Sequence, residues 1–226
     1  MGLELYAKVE SLLGFDNERK RLYEIYLNKL KLLGLSDILD IGCGSGAFME
    51  LAAKEGIESD GIDLSTEMVK MAKSRGLSCE VRDICGVEKK YEGAVALFDV
   101  LNYVPPKDVK RFLRCVRNTI EPGGFFLCDI NTLYGFEEVA QGALWIEKGD
   151  EFVAVEAEFD KKRLVTKIVY FHKDPKGCYI KENDTITQYY HDINELKIEG
   201  FEIVDLDFVA LFSQEPDKAL ITYKRV

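Results

Sequence analysis

The sequence predicts an α/β protein, a doubly wound sheet with an inserted antiparallel β-meander. Between residues 37 and 130, short apolar runs alternate with helical patterns, and strands that alternate with helices pair in parallel through crossover connections. From residue 132 to 190, strand-like runs follow one another across short turns, a pattern typical of an antiparallel meander. The end of the chain returns to the first pattern.

Two helices are predicted before residue 33, because apolar residues recur there at helical spacing with an interruption at residues 14–17. The first strand, at residues 37–41, ends in a glycine turn that leads into a helix. The remaining elements of this region follow the same alternation. We predict strands at 59–64, 78–82, 91–98 and 125–130, and helices at 65–75 and 107–120.

The inserted segment contains four strand-like runs, separated by the turn sequences GD, DKK and DPKG. They are predicted at residues 143–147, 151–159, 163–171 and 178–190. After them we expect a helix at 192–199, a strand from Phe201 and a final strand from Leu220.

Composition and charge narrow the function. The 226 residues are 47% hydrophobic and carry a formal net charge of −10, which suits one globular domain with an insertion. A negative net charge disfavours broad binding to nucleic acid and to anionic membranes. The N-terminus lacks a signal-peptide pattern and no apolar run reaches membrane-spanning length, so we expect a cytoplasmic protein.

The cysteines form no metal-binding pattern. Six of them are scattered without a CxxC pair, and the chain has only two histidines, so we expect no metal site. We interpret these cysteines as reduced and mostly buried thiols. They stand at Cys43, Cys79, Cys85, Cys115, Cys128 and Cys178.

The glycine turn at residues 42–46 reads GCGSG and follows Asp40. Glycines between a strand and a helix let the backbone approach a ligand and present free helix N-terminal amides. Dinucleotide-binding proteins favour GxGxxG, whereas the order here is GxGxG. The turn therefore favours a nucleotide-type ligand other than a dinucleotide.

The tract ILDIGCGSGAF at 38–48 resembles the first motif of class I S-adenosylmethionine-dependent methyltransferases. GIDLS at 61–65 resembles their second strand, whose acid binds the ribose hydroxyls. LFDVLNYV at 97–104 resembles the fourth-strand motif of members that act on small molecules. The resemblance extends over essentially the whole chain, and it implies a Rossmann-like seven-stranded sheet and S-adenosylmethionine as cofactor.

The resemblance also assigns site residues. Asp63 carries over to the ribose, Asp83 to the adenine amino group, and Ile84 to packing on the ring, while Met68 is either part of the adenine pocket or a gap-filling core residue. The complete expected cofactor site comprises Asp40, Gly42, Cys43, Gly44, Gly46, Asp63, Leu64, Met68, Asp83, Ile84 and Phe98.

The meander resembles the inserted substrate-covering sheet of a subset that includes amino-sugar N,N-dimethyltransferases. The resemblance implies a cofactor-binding domain at 1–131 and 191–226, with residues 132–190 covering the acceptor site. We therefore expect a small-molecule methyl acceptor, N-methylation by in-line displacement, and no nucleic-acid or membrane partner. The oligomeric state stays open, with a homodimer as one alternative.

Three side chains are candidates for acting on the acceptor, because an amine must be neutral to attack and an oxygen must lose its proton. Asp99 ends the fourth strand, although a strand-end acid is as often a helix cap. Tyr103 either faces the cationic sulfur or packs in the core. His191 directly follows the inserted segment and is either a base, for which an exposed histidine has a suitable pKa, or a partly exposed strand-end residue. On the N-terminal helices, Tyr6 and Arg21 are further candidates for covering the cofactor.

Two other functions stay open beside the small-molecule enzyme. The chain could bind S-adenosylmethionine without catalysis and act through partners, or it could methylate a protein or RNA. The acidic charge and the lack of a basic aromatic stripe disfavour the RNA acceptor. A dehydrogenase-like function is disfavoured by the glycine spacing.

Overall fold

A computed structural model of the chain describes residues 2–226, so position 1 of the predicted first domain lies outside the described residues. Eleven strands form two sheets. In chain order they are β1 (Asp37–Ile41), β2 (Glu58–Asp63), β3 (Cys79–Val81), β4 (Tyr91–Ala96), β5 (Ile120–Asn131), β6 (Gly142–Lys148), β7 (Glu151–Asp160), β8 (Arg163–Lys173), β9 (Tyr179–Tyr189), β10 (Phe201–Val209) and β11 (Lys218–Arg225).

The main sheet has seven strands in the order β10-β11-β5-β4-β1-β2-β3. Strands β1 to β5 pair in parallel, whereas β11 runs antiparallel between β5 and β10. Five α-helices cross between or precede these strands, and they are α1 (Leu3–Val9), α2 (Asp16–Leu33), α3 (Ala47–Lys54), α4 (Thr66–Ser74) and α5 (Val109–Thr119). The predicted doubly wound fold is confirmed.

Apolar side chains fill both faces of the main sheet. On one face, Phe126 of β5 stacks on Phe201 and Tyr223, and all three are almost completely buried. On the other, Leu22 and Tyr26 of α2 are buried among residues of β1, β4 and β5. Each such side chain contributes about 1.5–3 kcal/mol through burial. The core therefore fixes the strand ends, where ligands of open α/β sheets bind.

The inserted segment forms a separate antiparallel sheet in the order β6-β7-β8-β9. One face of it packs against α1, where Leu5 and Val9 contact Val153, Ile168 and Ile186. Lys8 of α1 pairs with Glu182 of β9 at 2.6 Å. The N-terminal helix and the inserted sheet thus form one packed unit, although they are far apart in sequence.

The predicted helix at 192–199 is wrong. Only a 3₁₀ turn at Ile193–Leu196 forms, capped by the Asp192 carboxylate, which accepts from the Asn194 amide at 2.8 Å. The chain then bends through Gly200 at φ +70°, a left-handed conformation that glycine adopts easily. The segment between β9 and β10 is residues 190–200, and the capped 3₁₀ turn and the bend at Gly200 take the place of a regular helix.

The interpretation of all six cysteines as reduced thiols is also wrong. Cys85 and Cys115 form a disulfide, while Cys178 is a free but exposed thiol. The disulfide joins the turn after β3 to α5, two elements that pack together. The sequence does not reveal this pair, because a separation of 30 positions along the chain gives no local signal. Among residues 2–226, no helix is long and apolar enough to cross a membrane.

Candidate cofactor and acceptor site

The glycine turn between β1 and α3 adopts left-handed conformations at Gly42, Gly44 and Gly46, with φ of 74°, 53° and 81°. A Cβ at Gly42 would lie 2.7 Å from Val100, and one at Gly46 would lie 2.2 Å from Leu77, so both glycines permit close packing. A Cβ at Gly44 would meet only the Met68 sulfur, at 3.9 Å. Gly44 is therefore the member of the turn that leaves room for a ligand.

Asp63 ends β2 beside this turn. One carboxylate oxygen accepts from the Gly44 amide at 2.9 Å and the other from the Ser65 amide at 2.8 Å. Burial raises the pKa of Asp63, while these backbone hydrogen bonds lower it in part. Each oxygen keeps a lone pair, so the carboxylate can still accept from a vicinal diol.

Asp40 lies on β1 under the turn and is 2% exposed. Its Oδ2 atom is buried and has no hydrogen-bond partner among residues 2–226. Burial raises the pKa of Asp40 well above its usual range. A buried carboxylate oxygen without a partner is costly, and a donor group on a bound ligand would satisfy it.

The residues expected on the adenine side differ in their exposure to solvent. Asp83 is exposed and accepts from the Cys85 amide at 2.8 Å, and Leu64 is half exposed, so both face solvent. Ile84 is 3% exposed and belongs to the main core. Met68 is 8% exposed beside Gly44. Asp83 and Leu64 are thus free to contact a ring, while the Ile84 side chain is committed to the core.

The N-terminal segment contacts the end of the ligand cleft that is formed by the glycine turn and Asp63. The Glu4 carboxylate accepts from the Ser65 hydroxyl and the Thr66 amide, each at 2.9 Å, and so caps α4 in addition to Ser65 itself. Glu10 follows α1, and burial raises its pKa while the nearby Arg19 lowers it. The segment up to residue 12 therefore bridges the glycine-turn end and the inserted sheet.

Arg21 takes no part in the contacts between the N-terminal segment and the glycine-turn end. Its guanidinium donates to the Ala210 carbonyl at 2.7 Å, whereas Arg19 lies 3.7 Å from Glu10. Tyr6 is close enough to Glu10 and Asp99 that their charges, together with burial, raise its pKa. Arg19 and Tyr6 are thus the N-terminal side chains placed beside acidic groups of the cleft.

A strained turn follows β4. Phe98 and Asp99 both have positive φ, at 58° and 53°, a conformation that costs a non-glycine residue about 1–3 kcal/mol. The buried Asp129 of β5 holds it, since its two oxygens accept from the Phe98 amide at 2.8 Å and the Asp99 amide at 2.9 Å. Tyr26 donates to the same carboxylate at 2.9 Å.

Lys218, the first residue of β11, lies between two acids and is 2% exposed. Its ammonium is hydrogen-bonded to Asp99 and stands 3.5 Å from Asp129. Burial alone would lower the pKa of Lys218, but the charges of these acids raise it. We call Asp99, Asp129 and Lys218 the buried charge cluster.

The inserted sheet reaches this cluster directly. Gln188 of β9 donates to Asp99 at 2.5 Å, and Asn131 donates to the same oxygen at 3.3 Å. Asn102 links the turn after β4 to both β9 and β5, because it donates to the Tyr189 carbonyl and accepts from the Asn131 amide. The ends of β4, β5, β9 and β11 thus meet at Asp99.

The other two acceptor-side candidates differ from Asp99. Tyr103 is partly buried near Asp99 and Tyr6, and burial raises its pKa well above the usual range. The expectation of an exposed His191 is wrong, because it is 1% exposed and its Nε2 donates to the Leu101 and Val104 carbonyls at 3.1 and 3.0 Å. Burial lowers the pKa of His191, so it stays neutral and holds the turn after β4.

Sequence reasoning missed Lys218, Asp129 as an anchor, and Gln188. Lys218 lies just before the predicted start of the last strand, at a position where a lysine is usually solvated. The sequence offers one signal, the pair Asp217-Lys218 directly before a buried apolar strand.

The chain matches a family model described as a methyltransferase domain over residues 38–124. It is 31% identical over 131 residues to the ubiquinone biosynthesis O-methyltransferase of Xanthomonas oryzae pv. oryzae, covering 53% of this chain and 54% of that protein. The chain spans about half the length of the first curated relatives it matches.

Two solved structures share the fold along nearly the whole chain. An S-adenosylmethionine-dependent methyltransferase from Clostridium acetobutylicum is 22% identical with a TM-score of 0.80 and covers 96% of both chains. The sugar N-methyltransferase KedS8 from Streptoalloteichus sp. is 14% identical with a TM-score of 0.75, covering 99% of this chain and 92% of that one. Residues 38–124 thus match a methyltransferase domain, within a fold that the chain shares along nearly its whole length with S-adenosylmethionine-dependent methyltransferases.

Proposed function

We propose that the protein binds S-adenosylmethionine along the turn at 42–46 and transfers its methyl group to a small-molecule amine. The observation that carries the cofactor is the buried, partnerless oxygen of Asp40 beneath a glycine turn whose Gly44 leaves open space. Asp63 adds two acceptor oxygens beside the same turn. An amino group and a ribose diol are the donors that such a set of acceptors fits.

The residues that would hold the cofactor come from both expected ends of the cleft. Asp40 and Asp63 supply acceptors, the amides of the glycine turn line the approach, and Leu64 and Asp83 are exposed on the adenine side. The Phe98 ring contacts Tyr23, with centroids 5.9 Å apart, and closes the opposite wall. We infer that Ile84 supports this site from the core rather than by stacking on the ring.

An amine acceptor is favoured by the acids at this end of the cleft. Asp99, Asp129 and the nearby Asp217 are three acids beside the single ammonium of Lys218, and although burial raises the pKa of Asp129, acidic groups predominate. Such a site attracts a cation or a group that becomes one. The structural likeness to a sugar N-methyltransferase is compatible with this preference.

When bound, S-adenosylmethionine would supply an electrophilic methyl carbon: the acceptor nitrogen lone pair would form the new N–C bond, the C–S electron pair would stay on sulfur, and nitrogen would then lose a proton. The protein contributes orientation and charge. Asp99 accepts a hydrogen bond from the acceptor amine and orients its lone pair, and Tyr103 closes the site against water. Positioning of this kind supplies a large share of the rate in such displacements.

The inserted sheet completes the enclosure in this proposal. Residues 142–189 and α1 form one packed unit that meets the cleft at Gln188 and Glu4. A covered cleft suits a small acceptor, whereas a macromolecular acceptor needs an open floor. We therefore propose the division into a cofactor domain and a covering insertion at 132–190.

The proposal is tested in two stages. Isothermal titration with S-adenosylmethionine and S-adenosylhomocysteine measures cofactor binding, and absence of both would refute the cofactor assignment. A panel of small amines, matched with alcohols of the same carbon skeleton, is then screened for S-adenosylhomocysteine formation. Turnover restricted to alcohols would refute the amine, and binding without turnover in any mixture would favour a noncatalytic module.

An oxygen acceptor is the second candidate, since the Xanthomonas relative is named as an O-methyltransferase. A hydroxyl needs its proton removed, so a base would be required. The matched amines and alcohols of the panel separate the two cases, and the variants Asp99→Asn and His191→Gln test the candidate side chains. A loss of about 10²–10⁴ in turnover with intact cofactor affinity shows that the replaced side chain acts on the acceptor, whereas changes of a few-fold in both leave positioning as the source of rate.

A further inference from the structure

The Asp99 carboxylate makes polar contacts with three other parts of the fold. It meets an ammonium from β11 and two amide groups, from β5 and from the inserted sheet. All three partners are donors, which is the environment of an ionised carboxylate. The side chain is nevertheless 13% exposed, so part of it is left to contact a ligand.

The turn that carries Asp99 would relax without support. Two successive non-glycine residues with positive φ persist only where surrounding contacts over-determine them, and here Asp129 accepts from both amides. Asp129 is itself completely buried. An isolated buried carboxylate would cost several kcal/mol, so its ionised form depends on the ammonium of Lys218.

The position of this turn is set relative to the glycine turn. Val100, the next residue, is the side chain that a Cβ at Gly42 would strike, so the two turns are in contact. Phe98 and Asp99 therefore lie next to the Gly42 end of the turn at 42–46. The proposed function places the acceptor amine at Asp99, so the reacting end of the cofactor lies beside it.

We propose that Lys218 is a positioning residue that holds the ionised Asp99 at the reacting end of the cleft, where Asp99 stabilises the positive charge that appears on the acceptor nitrogen. This inference rests on the proposed function. Positive charge moves from sulfur to nitrogen as the N–C bond forms and the C–S bond breaks. A fixed carboxylate beside nitrogen therefore stabilises the transition state more than the starting complex.

The role of Lys218 can be measured without knowing the acceptor. Sinefungin carries an ammonium-bearing carbon where S-adenosylhomocysteine has sulfur, so its cation probes the methyl position. The relevant quantity is the cation preference, the Kd of S-adenosylhomocysteine divided by the Kd of sinefungin. Titration calorimetry gives it for the wild type, Lys218→Met, Lys218→Arg and Asp99→Asn.

We expect a cation preference above one in the wild type and a loss of about tenfold in Asp99→Asn. Lys218→Met should lose a similar factor, with its Kd for S-adenosylhomocysteine within about threefold of the wild type, and Lys218→Arg should restore most of the preference. If Lys218 only neutralised charge, its removal would increase the preference. An increase, or no change, overturns the proposal.

Folding of the variant is controlled by a second change. If Lys218→Met does not fold, Lys218→Met with Asp129→Asn removes both buried charges and should show the same loss of cation preference. A wild type that binds neither ligand would refute the proposed function and this inference together. Normal binding with an unchanged preference in the folded lysine variants refutes this inference alone.

Discussion

The two ends of the cleft are built in different ways. The glycine-turn end is local in sequence, because Asp40, the turn at 42–46 and Asp63 all belong to one strand–helix–strand unit. The acceptor end gathers Asp99, Gln188 and Lys218 from three distant parts of the chain. Backbone conformation holds the glycine-turn end, and buried charge holds the acceptor end.

This difference makes distinct demands on the fold. Backbone amides and glycines need only the correct turn, and their cost is conformational. A buried ion cluster needs all of its members, because removing one leaves an uncompensated charge. We therefore expect variants at the acceptor end to lose stability, and variants at the glycine turn to lose ligand affinity first.

The largest expected effect is that of Lys218→Met on stability. It leaves Asp99 and Asp129 without their ammonium and should lower the free energy of unfolding by about 3–5 kcal/mol. The double variant Lys218→Met with Asp129→Asn removes the charges of Lys218 and Asp129 and should recover part of this loss. Urea unfolding of the single and double variants measures the coupling, and additive losses would show that the buried charge cluster does not act as a unit.

The next prediction concerns the opposite end. Asp63→Ala removes both carboxylate oxygens beside the Gly44 and Ser65 amides and should weaken S-adenosylmethionine binding by about 1–3 kcal/mol. Glu58→Ala is the matched control, since Glu58 is an exposed acid on the same strand. Calorimetry that finds equal affinities for the two variants would remove Asp63 from the site.

The sequence predicted the local end well and the composite end poorly. The motif at 38–48 and the strand at 61–65 contain their residues within a few positions, so the resemblance to methyltransferase motifs indicated Asp40, Gly44 and Asp63. Asp99 was predicted as a candidate, but its partners Asp129 and Lys218 are set by strand pairing between β4, β5 and β11. Order along the chain does not report that pairing.

The same reason explains two errors. His191 was expected to be exposed because it ends a strand, yet tertiary contacts with the carbonyls of Leu101 and Val104 bury it. The disulfide of Cys85 and Cys115 depends on the packing of α5 against the turn after β3. The strand order of the main sheet was less sensitive to such contacts, because alternating strands and helices restrict the topology strongly.

His191 offers a pH-dependent test of the composite end. Burial lowers its pKa in the folded state, so the unfolded chain, with a pKa near 6.5, takes up the proton first. The stability that neutral His191 contributes is present above about pH 6.5 and is lost as pH falls toward the lower folded pKa. His191→Gln cannot take up this proton.

We expect His191→Gln to be less stable than the wild type by about 1–2 kcal/mol at pH 7.5, through weakened hydrogen bonds to the two carbonyls. The gap should narrow by pH 5.5, where only the wild type loses the contribution of a neutral histidine. Thermal unfolding of both proteins at the two pH values measures this. A gap that widens on acidification would show that His191 is protonated in the folded state.

The smallest expected effect separates ligand contact from backbone cost at the glycine turn. Gly44 and Gly56 both have positive φ, at 53° and 78°, and a Cβ at either would meet no close protein atom, the nearest being the Met68 sulfur at 3.9 Å from Gly44. Gly44→Ala and Gly56→Ala should therefore each lower stability by a similar amount, about 1 kcal/mol.

Only the methyl group at residue 44 enters the space assigned to the cofactor, so only Gly44→Ala should weaken S-adenosylmethionine binding, by about tenfold or more. Unfolding free energies and calorimetric affinities of the two variants provide the comparison. Equal affinities would mean that the ligand does not approach the turn at Gly44, and that the partnerless oxygen of Asp40 is satisfied from another side.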